Sequence, residues 1–116
     1  MLNKSQIILE KKGNEVRLRV LNLPVYAKRE GSSIVAYTPF LNVVSYAKNI
    51  EDALKSFNEV LEIVLRERYI RGTLNSGLEE LGWKHSQNIT QIVNKASNNT
   101  DILIKNLEKE LILQLV

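Results

Sequence analysis

No cysteine occurs in the chain, which excludes disulfide staples, thiolate metal sites and thiol catalysis. A single histidine, His85, likewise excludes a multi-histidine metal site, so no cofactor or metal is expected. The five glycines, at 13, 31, 72, 77 and 82, stand singly rather than in the clustered pattern of a phosphate-cradling loop. No apolar run approaches the roughly 20 residues of a membrane span. The opening MLNKSQIILEKKG has one apolar patch, Ile7–Leu9, before charge resumes, and so lacks the apolar middle of a signal peptide. A cytoplasmic protein that does not associate with membranes is expected.

What is present is ordinary for a folded domain. The 116 residues are 44% hydrophobic and 25% charged, which argues against disorder and fits one core rather than two. The net charge of +3 is unevenly spread. Residues 1–48 carry eight basic and three acidic side chains, 49–83 four and seven, and 84–116 four and three. This asymmetry permits an acidic or nucleic-acid partner without requiring one.

Residues 7–9 and 16–21 flank the turn signal Lys12-Gly13-Asn14, and VRLRVL alternates at the two-residue period of a half-buried strand. VYAKRE and SSIVAYT flank Gly31-Ser32 and predict a second hairpin. Pro24 and Pro39 lie at the edges of these runs, where a missing N–H is tolerated, and VVSYA over 43–47 reads as a further strand. Apolar residues from Ile50 to Tyr69 then recur at steps of three and four. Asn49 is suited to the N-cap, Glu51 and Asp52 to the first turn, and Gly72 to the stop. Ser76-Gly77-Leu78-Glu79 has capping-box spacing and predicts a short second helix ending at Gly82. The polar, asparagine-rich stretch after Trp83 reads as a linker with ITQIV its one strand-like island. From a cap at Thr100-Asp101, leucines 103, 107, 111 and 115 recur every four residues and predict a C-terminal amphipathic helix. Its wide apolar stripe needs cover.

The acid pairs Glu51-Asp52 and Glu79-Glu80 are adjacent on helices and diverge rather than converge on one bond. His85 has no helical partner four residues away. No constellation reads as a reaction centre, and an enzyme is not expected. Arg17, Arg19, Lys28, Arg29, Lys11 and Lys12, with Tyr26 and Tyr46, are weighed as an RNA-binding face against a solvated or partner-binding one.

Over about residues 23–83 the order VYAKREG, IVAYTPFLNVV, SYAKNIEDALKSFNEVLEIVLRERYIRGTL and LEELGW resembles bacterial HicB-like antitoxins, the partners of small HicA-type toxins that cut messenger RNA. Asn42 departs from the aspartate usual in that family, and Ala47-Lys48 from its glycine before the helix. The resemblance implies an α+β fold: an antiparallel sheet of three to five strands, partly ribonuclease-H-like, packed by one long helix. An N-terminal hairpin extension (1–22) and a linker with an extra C-terminal helix (84–116) would flank that domain (23–83). It implies a HicA-like toxin as partner, neutralised by occlusion, with contact to DNA only through the complex; no helix-turn-helix or ribbon-helix-helix module is recognisable. Tyr37, Phe40 and Tyr46 are candidate anchors for the toxin, and Glu51, Asp52, Glu59 and Glu62 candidate charged contacts. The alternative is an orphan, homo-oligomeric regulatory protein, dimer or tetramer, joined through Leu103, Leu107, Leu111 and Leu115.

Overall fold

The computed structural model describes residues 4–87, 89–93 and 101–114. In chain order the elements are β1 (Lys4–Lys12), β2 (Glu15–Glu30), β3 (Ser33–Tyr37), β4 (Val44–Ala47), α1 (Ile50–Ile70), α2 (Leu74–Glu80), β5 (Lys84–Ser86), β6 (Ile89–Val93) and β7 (Ile102–Gln114). All seven strands join one antiparallel sheet.

Both hairpins form at their turn residues, but they share one long strand. β2 pairs with β7 along one edge, from Glu15 to Ala27. Its other edge is divided between β1, opposite residues 15–21, and β3, opposite residues 26–30. The hand-over falls at a bulge between Val20 and Leu23. There Asn22 adopts a φ of 57°, donates from Nδ2 to the Lys4 carbonyl at 3.1 Å, and accepts at its own carbonyl from Ser5 Oγ at 2.9 Å. Pro24, expected at a strand edge, is buried within β2 beside this bulge, where interrupted pairing accommodates its missing N–H. An Asn22→Val change forces a β-branched residue into the left-handed region and is expected to destabilise the fold by about 1–2 kcal/mol. Asn22→Gly keeps the backbone and loses only the amide bond. Thermal melts of the pair check this, and a valine variant as stable as the glycine one would refute the strain.

α1 lies on one face of the sheet. Asn49 caps it, its Oδ1 accepting from the Asp52 amide at 2.8 Å, and Ala53, Phe57, Leu61 and Leu65 are buried. At the far end Gly72 reverses the chain at φ 72°, and the Thr73 amide closes back on the Arg68 carbonyl at 2.9 Å. α2 starts earlier than the capping-box spacing predicts, at Leu74 behind Thr73, and Ser76 Oγ bonds back to the Thr73 carbonyl. Trp83 closes the core at 2% exposure, its Nε1 donating to the Phe40 carbonyl at 2.8 Å. One core runs through Ile7, Leu18, Leu23, Phe57, Leu61, Trp83, Leu107 and Leu111.

Two expectations are overturned. A sheet of three to five strands packed by one helix, with a second helix at the C-terminus, is replaced by a seven-stranded sheet carrying α1 and α2 among the described residues. The C-terminal helix is instead β7, hydrogen-bonded along β2. Leu107 and Leu111 fit both a four-residue and a two-residue period. The inward position that separates the two is Lys109, opposite Val20, and a charge there disguises the alternation. Its side chain is only 14% exposed, and its Nζ reaches Glu62 of α1 at 3.9 Å, the stem covering apolar surface while the charge escapes. The stretch read as a linker supplies β5 and, at its strand-like island ITQIV, β6. Thr90 is buried opposite Ile7, and Gln91 accepts from Gln6 across the pair at 3.2 Å. The proposed cap at Thr100 and the end residue Leu115 lie outside the described residues.

Candidate protein-docking face

Side chains alternate across each strand, so register decides which ones share a face. Leu18, Val20 and Ala27 of β2 and Ala36 of β3 are buried in the core on the α1 side, and Val16 is buried in the same alternation. Their neighbours point to the opposite face, on which neither helix packs. Tyr26 lies opposite Tyr37 on one side and Leu103 on the other, and Tyr37 lies opposite Val44. A row Val44, Tyr37, Tyr26, Leu103 therefore crosses four strands. A second row sets Tyr46, Val35 and Lys28 side by side.

The rows are held in place from within. The Tyr26 and Tyr37 rings meet at 6.0 Å between centroids, tilted by 32°, and Lys28 Nζ sits 5.5 Å from the Tyr37 centroid. Tyr37 donates its hydroxyl to Asp101. Val35 is buried beneath these neighbours at 1% exposure, whereas Val44, Tyr46 and Leu103 are 47%, 58% and 47% exposed. Beside β3 and β4 an open groove of about 370 Å³ runs between Lys28, Val35, Tyr37, Val44 and Tyr46.

Of the expected anchors, the structure brings Tyr37 and Tyr46 together here and sends Phe40 elsewhere. Phe40 is half-buried against the core, its carbonyl taken by Trp83. Glu51, Asp52, Glu59 and Glu62 belong to α1, on the other side of the sheet. Ser45, between the outward-pointing Val44 and Tyr46, turns inward to hydrogen-bond Ser56 of that helix. Asp52 is engaged in the N-cap, and Glu62 in ion pairs with Arg66 and Lys109. One flat contact cannot take up both sets. Tyr26, a neighbour of the basic strands, and Leu103, one of the leucines expected to join copies, complete the row; Leu103 does so because the last segment is a strand paired with β2.

The cations weighed as an RNA-binding face are divided. Arg17, Arg19, Lys12 and Lys28 occupy the open face, and Lys11 and Arg29 the α1 side, opposite Val16 and Ile34. The open-face arginines meet carboxylates. Arg17 lies opposite Glu10 and its Nε contacts Glu110 at 2.7 Å, and Arg19 lies opposite Glu110. Such an exposed pair adds little stability, and Arg17→Ala is expected to change unfolding free energy by less than about 1 kcal/mol; a larger loss in a denaturant titration would contradict that. His85 is exposed and shares a hydrogen bond of 2.8 Å with Thr90.

Of the leucines expected to join copies of the chain, Leu103 stands on the open face, Leu115 lies outside the described residues, and the other two are spent within the chain. Leu107 and Leu111 are 4% and 2% exposed in the chain's own core, because β7 finds its cover on β2 and α1. Among the described residues no helix is long and apolar enough to cross a membrane, and no group of three His, Asp or Glu stands close enough to hold a metal ion. No protein-family model, curated protein or solved structure matches the chain.

Proposed function

We propose that this chain is a non-catalytic capture module that docks a protein on its open sheet face, and that the partner is a HicA-like toxin neutralised by occlusion. The observation that carries the docking reading is the tyrosine and aliphatic row Val44, Tyr37, Tyr26, Leu103 on the face without helices. Tyrosine is favoured at interface centres because it offers a large apolar area with a polar tip and few rotatable bonds to immobilise. Arg17 pairs with Glu110 and lies opposite Glu10, and Lys12 lies opposite Glu15; this mixture of both signs favours a protein over the phosphate backbone of RNA. The identity of the partner rests on the resemblance of residues 23–83 to HicB-like antitoxins.

The test is co-expression with the product of the gene adjacent to that of this chain, followed by capture and growth rescue. Tyr37→Ala combined with Tyr46→Ala is expected to weaken capture by at least about 30-fold, the loss of roughly 2 kcal/mol typical of a central anchor. Reversing Glu51, Asp52, Glu59 and Glu62 to lysine is expected to leave capture nearly unchanged. The opposite pattern moves the interface to α1, and no capture by the unaltered chain ends the toxin reading.

A further inference from the structure

We infer that two copies of this chain pair through the outer edge of β4, antiparallel and about a two-fold axis at Ser45, extending the two sheets into one. The inference stands on edge geometry alone and does not depend on what the open face captures. Among the described residues β4 pairs with β3 only, and β7 with β2 only, so each leaves a row of backbone groups without a ladder. The hairpins reveal which groups these are.

Gly31 and Ser32 form a two-residue loop closed by Glu30 and Ser33, with positive φ at Gly31 alone. In such a loop the closing pair exchanges both backbone hydrogen bonds, and alternate pairs follow. Ser33 and Val35 therefore turn their amides and carbonyls toward β2, and Ile34 and Ala36 turn theirs toward β4. Ser45 and Ala47, opposite Ala36 and Ile34, answer them. Val44 and Tyr46 are left with N–H and C=O directed at the free edge.

That arrangement is self-complementary. Antiparallel pairing centred on Ser45 sets Val44 opposite the partner's Tyr46, and Tyr46 opposite the partner's Val44. Both residues of each pair carry outward backbone groups, so four backbone hydrogen bonds form. On the open face each pair places a β-branched side chain against an aromatic one, a favourable cross-strand combination. No charged residue lies within β4, so no like charges meet on the strand. Beside the edge, α1 presents Ile63 at 62% exposure, about 20° around the helix from Ser56, which is bonded to β4.

Neither other edge offers a comparable fit: β5, paired among the described residues with β6 only, is three residues long and carries Lys84, and β7 is acidic. The same argument from the Gly13-Asn14 loop leaves Glu108, Glu110, Ile112 and Gln114 with outward backbone groups, and two of those four side chains are acidic. Charged side chains on an edge strand discourage pairing with another chain. β4 lacks that protection.

The experiment is sedimentation equilibrium of the purified chain alone, with no toxin present. The apparent mass is expected to rise with concentration from one copy toward two. Tyr46→Pro removes one outward N–H without touching the ladder to β3 and is expected to raise the dimer dissociation constant at least tenfold; Ile112→Pro, on the other edge, is expected to leave it unchanged. Register is tested separately, since the chain has no cysteine. Val44→Cys mixed with Tyr46→Cys is expected to form a mixed disulfide dimer under mild oxidation in higher yield than either variant alone. A monomer at every concentration, a Tyr46→Pro variant that dimerises as before, or equal cross-linking by the single variants overturns the inference.

Discussion

Replacing Trp83 by alanine is expected to lower stability by about 3–5 kcal/mol, the range for truncating a large buried aromatic side chain. The indole is 2% exposed and belongs to the core shared by α1, α2 and the strands. Its loss opens a cavity and also removes the donor to the Phe40 carbonyl at 2.8 Å. A domain of this size has a total stability of roughly 5–15 kcal/mol, so the variant keeps little margin and its melting temperature should fall by at least about 10 °C. Trp83→Phe restores most of the volume but not the donor, and should recover more than half of the loss. Circular dichroism melts of the three proteins separate packing from hydrogen bonding. An alanine variant within 1 °C of the parent would mean that the indole does not close the core.

Ending the chain at Asp101, before β7, is expected to abolish the cooperative unfolding transition. The deletion takes away the buried Leu107, Leu111 and Leu113, each contributing about 1.5–3 kcal/mol by burial, which together rivals the whole stability of the domain. It also strips the edge of β2 from Glu15 to Ala27, leaving inward-facing Val16, Leu18 and Val20 without their ladder partners. Leu111→Asp is a milder version that places an uncompensated carboxylate in the same core, with a similar expected outcome. Amide hydrogen exchange on the intact chain provides the independent measurement: the amides of Leu18, Val20, Leu111 and Leu113 should be among the slowest. A truncated chain that still melts cooperatively would show that this segment is an appendage.

The contrast between α1 and β7 shows what was legible beforehand. In α1 every local signal agrees: the cap at Asn49, acid in the first turn, a continuous stripe, and a glycine stop. In β7 the glutamates and lysines favour a helix, the leucines at 107 and 111 satisfy either period, and Lys109 conceals the inward position that would have decided. The short edge strand β5 was obscured for a related reason, since an edge tolerates the lysine, histidine and serine that otherwise mark loops, whereas β6 coincides with the strand-like island ITQIV. Tyr37 and Tyr46 could be singled out as aromatics in a strand-rich segment. Their shared face with Tyr26 and Leu103, and its separation from the carboxylates of α1, could not.

The two hairpin turns, the limits of the long helix and the absence of thiol chemistry thus follow from the residues alone, because each depends on a residue and its near neighbours. That the last segment is a strand, that the sheet has a face without helices, and which edge is unguarded are set by the assembled fold. Those properties depend on which distant strand supplies the hydrogen bonds. A segment compatible with two periods takes the one that satisfies the exposed edge of β2, a demand made by residues some ninety positions earlier, from Val16 to Val20.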